Sequence, residues 1–387
     1  MNIFSYSKQT ISKKDIKSVT KILKSNFLTQ GPTIEKFENK IKKFVKSKYA
    51  VAVNSATSGL HLSCLSLGLK KNDYLWTVPN SFVASSNCAL YCGAKVDFVD
   101  INSKTWNIDV DLLEKKLLKT PKKNLPKILV VVHYAGEPVE LKKIYKLSKK
   151  FNFKIIEDAS HALGSKHQNT RIGNCKFSST TVFSFHPVKP ITTGEGGIIT
   201  TNNFQINKKL KSLRSHGIEK IFPKNKENSR LWYYEQTDLG FNYRMNDIEA
   251  SLGISQINNI NNFLKKRNYL AKRYKKKLLS LPIKFQETNQ KNYSSYHLFT
   301  INLLKKNHIK NYDKIFNFLR KSKIFVQKHY ILIYSHPFYR KLVGNLYLKN
   351  SENFSSSVIS LPLYPTLKLN EQDFIIKKLF EILKKIK

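Results

Sequence analysis

The residues of this chain best suited to do chemistry lie in one short segment that ends in glycines. It reads Ser184-Phe-His-Pro-Val-Lys-Pro-Ile-Thr-Thr-Gly-Glu-Gly-Gly197. Lys189 comes two residues after one proline and immediately before Pro190, which biases the lysine away from helical backbone. A lysine on a turn at a strand end lies where open parallel sheets bind their ligands. The alternative is an ordinary surface lysine, and composition alone would favour that alternative.

A second candidate is the pair of carboxylates that ends the apolar run Ile155-Ile-Glu-Asp-Ala-Ser-His161. A carboxylate at the carboxyl edge of a sheet can keep a pyridine nitrogen protonated, which makes the ring an electron sink. Taken alone, Asp158 could equally bind a metal, cap a helix or orient a histidine. His161 alone is more typical of a hydrogen-bonded polar residue than of a reacting group.

A third candidate is Asn54-Ser-Ala-Thr-Ser-Gly59, which lies between a predicted strand and a predicted helix. Short hydroxylated residues with a glycine let the N–H groups at a helix N-terminus meet a phosphate. An ordinary N-cap is the commoner use of such a segment. The sequence contains no Walker motif and no Gly-x-Gly-x-x-Gly, so ATPase and dinucleotide-binding functions lack their motif.

Alternating strands and helices must position these groups. Short apolar runs predict strands at 49–53, 128–132, 153–156, 180–185 and 197–201. Fully apolar strands that alternate with helices imply a parallel sheet covered on both faces. Helical spacing predicts helices over 11–48, interrupted by a turn at 28–32.

The pattern changes after about residue 245. A long helical segment is predicted at about 247–280, and further elements follow: strands at 297–303 and 324–328 and helices at 311–321 and 370–386. We therefore expect a large α/β domain over residues 1–245 and a smaller α+β domain over residues 246–387.

Composition limits the other possibilities. With 387 residues, of which 41% are hydrophobic and 24% charged, the chain has the make-up of a globular protein. The first ten residues lack the apolar core of a signal peptide, and no run of 18 apolar residues occurs. The four cysteines are too few for a disulfide framework. Cys88 and Cys92 have helical spacing but no further Cys or His pair nearby, so we expect core thiols rather than a metal site. We expect a cytoplasmic protein with neither membrane nor metal as partner.

The formal net charge of +42 is the most unusual feature of the composition. Nearly all of the positive charge is lysine, spread over the whole chain, whereas nucleic-acid readers favour arginine. We therefore expect solvated lysine faces and no nucleic-acid partner. A positive surface would still attract a small polyanionic substrate.

The order of these segments resembles a known family. A phosphate turn, an aromatic Phe82, a strand-end Asp158 and a lysine about thirty residues later match fold-type I pyridoxal-phosphate enzymes, specifically the DegT/StrS group of nucleotide-sugar aminotransferases. The resemblance covers essentially the whole chain. Its motifs are Leu28-Thr-Gln-Gly-Pro32, the turn at 54–58, Pro79-Asn-Ser-Phe-Val-Ala84, Glu157-Asp-Ala-Ser-His-Ala-Leu-Gly164, the Lys189 segment and Leu239-Gly-Phe-Asn-Tyr-Arg-Met-Asn246.

This resemblance implies an α/β fold of type I, with a large, mixed, mostly parallel sheet and a smaller C-terminal α+β domain. It also implies pyridoxal 5′-phosphate as the cofactor, with Lys189 as the residue that binds it covalently and moves the proton. The remaining cofactor contacts that it implies are Asp158 at the ring nitrogen, His161 near the phenolic oxygen, Phe82 on the ring face, Ala56, Thr57 and Ser184 around the phosphate, and Asn242 reaching the site of a neighbouring subunit. A homodimer with shared active sites is therefore expected.

Within the group, the chain is similar to aminotransferases that aminate C4 of a UDP-linked 4-keto-6-deoxy-N-acetylhexosamine in pseudaminic acid biosynthesis. The similar segments are Phe4-Ser-Tyr6, Ser184-Phe-His186, Arg214-Ser-His-Gly217, Tyr296-His-Leu298 and Val326-Gln-Lys-His-Tyr330. The resemblance implies glutamate as amino donor and a sugar-nucleotide site formed by Tyr6, Asn26, Phe27, Leu28, Thr29, Ala56, Ser184, Asn242, Gln327, Lys328, His329 and Tyr330.

Alternatives remain open at this point. Pro187, Gly194 and Lys328 depart from the subgroup pattern, so another 4-keto-sugar aminotransferase, of the perosamine or bacillosamine type, is possible. A pyridoxal-phosphate-dependent sugar dehydratase is a second alternative, although some relatives of that type carry histidine where this chain has Lys189. A basic nucleic-acid-binding protein that keeps an inactive enzyme fold is the third.

Overall fold

The computed structural model describes residues 3–219 and 232–386 of the chain. Its strands are β1 (Phe4–Ser5), β2 (Tyr49–Val53), β3 (Tyr74–Thr77), β4 (Lys95–Phe98), β5 (Pro126–Val132), β6 (Lys154–Asp158), β7 (Lys166–His167), β8 (Thr170–Arg171), β9 (Thr180–Ser184), β10 (Gly197–Thr201), β11 (Ile218–Glu219), β12 (Glu235–Gln236), β13 (Ile283–Phe285), β14 (Phe299–Leu303), β15 (Ile324–Phe325) and β16 (Val358–Leu361).

The α-helices of these residues are α1 (Lys13–Leu23), α2 (Pro32–Val45), α3 (Ala56–Ser66), α4 (Ala84–Leu90), α5 (Val110–Lys119), α6 (Leu141–Phe151), α7 (Phe204–Arg214), α8 (Asp247–Ile257), α9 (Ile260–Lys277), α10 (Lys306–Lys310), α11 (Tyr312–Lys321), α12 (Pro337–Val343), α13 (Lys349–Ser357) and α14 (Leu369–Lys385). Within the described part of the chain, no helix combines the length and the apolar composition needed to cross a bilayer.

A seven-stranded sheet with the order β2-β10-β9-β6-β5-β3-β4 forms the centre of the molecule. The pairs from β9 through β6, β5 and β3 to β4 are parallel, and β10 runs antiparallel to both of its neighbours. The predicted mixed, mostly parallel sheet is therefore confirmed. Since the carboxyl ends of β2, β6 and β9 lie at one edge, the three candidate segments that follow them meet there.

The sheet is covered on both faces, as its apolar strands require. Alternate residues of the strands enter two different clusters: Leu129 and Val131 pack on one face with α2 and α8, whereas Val130 and Ile156 pack on the other face with α3 and α4. This alternation explains why the strands read as continuous apolar runs rather than as a two-residue pattern.

The C-terminal part has its own small sheet and its own core. Strands β13, β14 and β16 form an antiparallel sheet, and residues such as Tyr274, Leu319 and Leu379 form a third cluster around it. Phe4 joins this cluster because β1 pairs in parallel with β15. The first turn of α9 follows residue 245, but its residues pack with the core of the main sheet. The domain boundary at residue 245 therefore stays a prediction.

One predicted helix is divided in the structure. The segment at 247–280 forms two helices, α8 and α9, which are separated by Asn258 and Asn259. Asparagine side chains compete with the helical backbone for hydrogen bonds, which disfavours a continuous helix at this pair. The remaining predicted strands and helices are confirmed to within a few residues of their predicted ends.

Candidate active site

The candidate site is a cavity of about 440 Å³ at the sheet edge where β2, β6 and β9 end. Lys189 lines it from the loop between β9 and β10. The turn is held by a hydrogen bond from the Lys189 amide to the His186 carbonyl (2.9 Å) and by one from Ser7 Oγ to the Val188 carbonyl (3.0 Å). These bonds fix the backbone of the turn that carries Lys189.

Asp158 lines the same cavity from the last residue of β6. Its Oδ2 accepts a hydrogen bond from Ser85 Oγ (2.6 Å), and its Oδ1 accepts from the amide and the hydroxyl of Ser160 (3.1 and 2.6 Å). These donors fix the orientation of the carboxylate. An oriented carboxylate is therefore held in the same cavity as Lys189.

The Lys189 amine is electrostatically prepared for nucleophilic chemistry. Burial lowers the pKa of Lys189 from 10.5 to about 8, although the charge of Asp158 acts in the opposite direction. A larger fraction of the amine is thus uncharged near neutral pH than in an ordinary lysine, and only the uncharged amine can attack a carbonyl carbon.

The N-terminus of α3 opens onto the cavity at Ala56 and Thr57. Ser55 caps the helix by accepting the Ser58 amide (3.1 Å), and the first-turn N–H groups of a helix attract anions. A Cβ atom at Gly197 would lie 2.6 Å from the Ala56 nitrogen, so glycine is required for this close approach to β10. Ser184, which pairs with Gly197, lines the cavity beside the helix start.

A histidine and a tyrosine from distant segments meet at the cavity wall. His161 Nδ1 accepts the Ala135 amide (3.3 Å), and Nε2 lies 3.0 Å from the hydroxyl of Tyr330. Burial, together with the charge of Lys189, lowers the pKa of His161 well below its usual value, so the ring is neutral. Because Nδ1 of the neutral ring is an acceptor, Nε2 carries the hydrogen and donates a hydrogen bond to Tyr330 Oη.

His329 and Tyr6 complete the wall beside Tyr330. Their rings lie 4.8 Å apart, and His329 Nδ1 is 2.8 Å from Ser360 Oγ. Burial lowers the pKa of His329 to about 3, so this ring is neutral as well. The positive charge of this wall therefore comes from Lys189.

The structure brings ten of the predicted site residues together around this cavity and leaves seven outside it. The ten are Tyr6, Ala56, Thr57, Phe82, Asp158, His161, Ser184, Lys189, His329 and Tyr330. The seven are Asn26, Phe27, Leu28, Thr29, Asn242, Gln327 and Lys328. Six of these seven are exposed, and Lys328 lies 4.6 Å from the ring centre of Tyr312.

The exposed 26–29 loop is held in place by α8. The Leu28 carbonyl accepts the Asp247 amide (2.9 Å), and the Asp247 carboxylate accepts the amides of Gly31 and Thr33 (2.8 and 3.0 Å). The side chains of Phe27 and Leu28 are nevertheless 55% and 47% exposed. The loop therefore presents apolar side chains on a fixed backbone.

Sequence reasoning missed two residues that act on the carboxylate. Ser160 follows Asp158 by two residues, a spacing at which an aspartate commonly accepts the backbone amide, so this partner could have been found. Ser85 lies 73 residues before Asp158, on α4, and no local signal predicts that contact.

These groups fit pyridoxal phosphate. An amine can hold its aldehyde, a fixed carboxylate can hold its ring nitrogen, and a helix N-terminus with Ser184 suits its phosphate. The apolar side chains of Phe82 and Val132 supply walls for the ring. Fold and site together define a fold-type I pyridoxal-phosphate-dependent enzyme.

Residues 9–380 match the DegT/DnrJ/EryC1/StrS aminotransferase family, and the chain belongs to that family. It is 40% identical over 387 residues to the UDP-4-amino-4,6-dideoxy-N-acetyl-beta-L-altrosamine transaminase of Campylobacter jejuni, covering 100% of this chain and 99% of the relative. The relative of the same name from Helicobacter pylori is 35% identical over 392 residues, covering 99% of this chain and 100% of the relative.

Two solved structures have the same fold. Helicobacter pylori PseC, described as an aminotransferase involved in the biosynthesis of pseudoaminic acid, has a TM-score of 0.91 and 33% identity and covers 99% of this chain and 100% of its own. The sugar aminotransferase Spr1654 of Streptococcus pneumoniae, in its pyridoxal-phosphate form, has a TM-score of 0.89 and 26% identity and covers all of both chains. The predicted fold class, enzyme class and cofactor are thereby confirmed: the chain is a pyridoxal-phosphate-dependent aminotransferase.

Proposed function

We propose that this enzyme transfers an amino group from glutamate to C4 of a UDP-linked 4-keto-6-deoxy-N-acetylhexosamine. Its product would be UDP-4-amino-4,6-dideoxy-N-acetyl-β-L-altrosamine, an intermediate of pseudaminic acid biosynthesis. The observation that carries this proposal is the full-length similarity to the Campylobacter jejuni transaminase, at 40% identity. The pairing of Lys189 with Asp158 in one cavity supports the same chemistry.

The cofactor, when bound, supplies an aldehyde that accepts amines and a ring that withdraws electrons. Asp158 would hold the ring nitrogen of the bound cofactor, because Ser85 and Ser160 orient its carboxylate. Lys189 Nζ takes the proton from Cα of the amino donor in the first half-reaction. In the second half-reaction the same amine delivers a proton to C4 of the sugar.

His161 and Tyr330 orient one hydrogen bond in the cavity. His161 donates from Nε2 to Tyr330 Oη, so the phenolic proton of Tyr330 is free to donate to an oxygen of cofactor or sugar. The N–H groups of Ala56 and Thr57, with the hydroxyl of Ser184, bind the phosphate. Phe82 covers the ring face, and Tyr6 and His329 contact the sugar.

The enzyme acts as a homodimer in the cytoplasm. The exposed apolar side chains of the 26–29 loop and the exposed Asn242 support the dimer, because a second chain would cover them. Gln327 and Lys328, which precede the cavity residues His329 and Tyr330, would contact the part of the sugar nucleotide that extends beyond the cavity. The four free thiols suit a reducing compartment.

The deciding experiment supplies the enzyme with glutamate and a panel of 4-keto nucleotide sugars. We expect 2-oxoglutarate and one amino sugar with the L-altro configuration, identified by proton coupling constants in NMR. The Lys189→Ala variant, treated in the same way, is the matched control. Loss of water from the sugar without 2-oxoglutarate would indicate a dehydratase, and preference for a substrate of the perosamine or bacillosamine type would reject the proposed sugar.

A further inference from the structure

Arg267 is a buried cation with no role in the chemistry proposed for Lys189 and Asp158. It lies on α9 and is only 1% exposed, and burial lowers its pKa to about 10, so it is still charged at neutral pH. Within the described part of the chain, the arginine ion pairs are those of Arg214 and Arg273, so no carboxylate neutralises this guanidinium. A buried charge without a counter-ion is costly, which favours a role for Arg267 beyond stability.

The guanidinium of Arg267 binds the backbone of segments that support the active-site wall. Nη1 donates to the carbonyl of Leu363 at 2.8 Å and to that of His297 at 3.2 Å. The amide of Leu363 in turn donates to the carbonyl of Tyr6 (2.9 Å). The ring of His297 lies 4.5 Å from the ring of His161. One side chain therefore joins the segments that stand behind two residues of the wall, Tyr6 and His161.

A second contact leads from Arg267 to the turn that carries Lys189. Arg267 Nη2 lies 3.4 Å from Ser7 Oγ, and Ser7 Oγ donates to the carbonyl of Val188 at 3.0 Å. A serine hydroxyl has one hydrogen, so an N–H group that meets its oxygen leaves that hydrogen to point at Val188. Ser7 is buried, and Arg267 and Lys189 line the same small cavity. The orientation of the Ser7 hydroxyl therefore depends on Arg267.

We propose that Arg267 is a positioning residue for the proton transfer: it orients the Ser7 hydroxyl, which holds the turn from which the Lys189 amine reaches the substrate carbon. This role rests on the proposed function, in which glutamate is the amino donor. An amine that moves a proton must approach the reacting carbon in the right geometry, and a displacement of about 1 Å can cost about 10²-fold in rate. A guanidinium suits this task because its planar donors fix several acceptors at once.

The test compares Ser7→Ala, Arg267→Met and the double variant, each loaded with cofactor, in the first half-reaction. Stopped-flow absorbance follows the loss of the cofactor band on mixing with glutamate, and separately with glutamate deuterated at Cα. We expect Ser7→Ala to slow this step about tenfold and Arg267→Met about tenfold to 100-fold. The deuterium isotope effect should be larger than in the wild type in both variants, because proton transfer then limits the rate more strongly.

The double variant and a matched control separate positioning from a general loss of stability. Because Arg267 acts through Ser7, the double variant should be no more than about twofold slower than Arg267→Met, whereas independent effects would multiply. Arg273→Met changes another arginine of α9, whose guanidinium binds Gln372 and Asp373, and none of these three residues lines the active-site cavity. This control should stay within about twofold of the wild-type rate.

Visible circular dichroism of the loaded enzyme is a readout that does not depend on the donor. The signal of the cofactor band depends on how the protein orients the ring, so Ser7→Ala and Arg267→Met should lower it at unchanged absorbance. If the wild type did not react with glutamate, the proposed donor would be wrong, and the dichroism alone would decide the role of Arg267. Wild-type dichroism in both variants would overturn that role. So would a double variant whose loss of rate equals the product of the two single losses.

Discussion

The cavity wall, which includes Lys189, Asp158 and His161, and the exposed 26–29 loop carry residues of one proposed site. The chain holds these two regions differently. Asp158 and His161 are buried at the ends of sheet strands and are fixed by hydrogen bonds from other elements. Phe27 and Leu28 lie on a fixed backbone with exposed side chains. The wall is therefore held together within one chain, whereas in the proposed homodimer the loop would contact the sugar nucleotide from a second chain.

The largest expected effect on activity comes from a substitution in the cavity wall. Lys189→Ala should lower transamination by more than about 10⁴-fold, because both the covalent attachment and the proton transfer are lost. The variant should also lose the absorbance band that borohydride removes from the wild type. Retained activity, or a retained borohydride-sensitive band, would move the chemistry to another residue.

Asp158→Asn should have the next largest effect, on the order of 10²–10³ in kcat. The amide cannot hold a cation on the ring nitrogen, but Lys189 can still bind the cofactor covalently, so the absorbance band should persist. Asp373→Asn, which alters a carboxylate paired with Arg273 and Lys277 on the C-terminal part, is the control and should leave kcat within about twofold. An unimpaired Asp158→Asn enzyme would refute the electron-sink role.

Mixing variants tests directly whether one active site combines the wall of one chain with residues of a second chain, for which Asn242 is the probe. Asn242→Ala alone should lower kcat/KM about tenfold to 100-fold, equivalent to about 1.4 to 2.7 kcal/mol. A refolded equal mixture of Asn242→Ala and Lys189→Ala chains should regain about one quarter of wild-type activity, because half of the dimers would contain one intact shared site.

The control mixture combines Lys189→Ala with Asp158→Asn. Both residues lie on the wall of the same chain, so no intact site can form and no activity should return. Restored activity in this control, or none in the Asn242 mixture, would contradict the proposal that Asn242 of one chain completes the site formed by the wall of another.

The pH dependence of covalent cofactor binding tests whether the pKa of Lys189 is lowered in the cavity wall. Because burial lowers the pKa of Lys189 to about 8, the rate at which apoenzyme binds the aldehyde covalently should rise up to about tenfold per pH unit below pH 8 and then level off. Stopped-flow absorbance measures this rate. A rate that keeps rising through pH 10 would indicate an ordinary exposed lysine. In Asp158→Asn the midpoint should move to lower pH, since the carboxylate raises the pKa of Lys189.

The same comparison separates what the sequence could predict from what it could not. Lys189 and Asp158 lie in local patterns of strand, proline and glycine, so their position at the sheet edge followed from neighbouring residues. The contacts of Ser85 with Asp158 and of Tyr330 with His161 join segments 73 and 169 residues apart, and no local pattern specifies them. In the proposed homodimer, the position of the 26–29 loop relative to a cavity would depend on a second chain.

The fold shows the same division. Apolar periodicity predicted the central strands, because each strand is buried along its whole length. The pairing of β1 with β15 was not predicted, since two residues with one partner 320 positions away carry no periodic signal.

The pairing of β1 with β15 limits when the active site can form during synthesis of the chain. Tyr6 reaches the cavity because β1 is anchored on β15, at residues 324 and 325. A nascent chain still on the ribosome cannot close its catalytic centre until that late segment has emerged, however early the central sheet forms. Translation products truncated before residue 324 therefore lack the strand that anchors β1 and brings Tyr6 to the cavity.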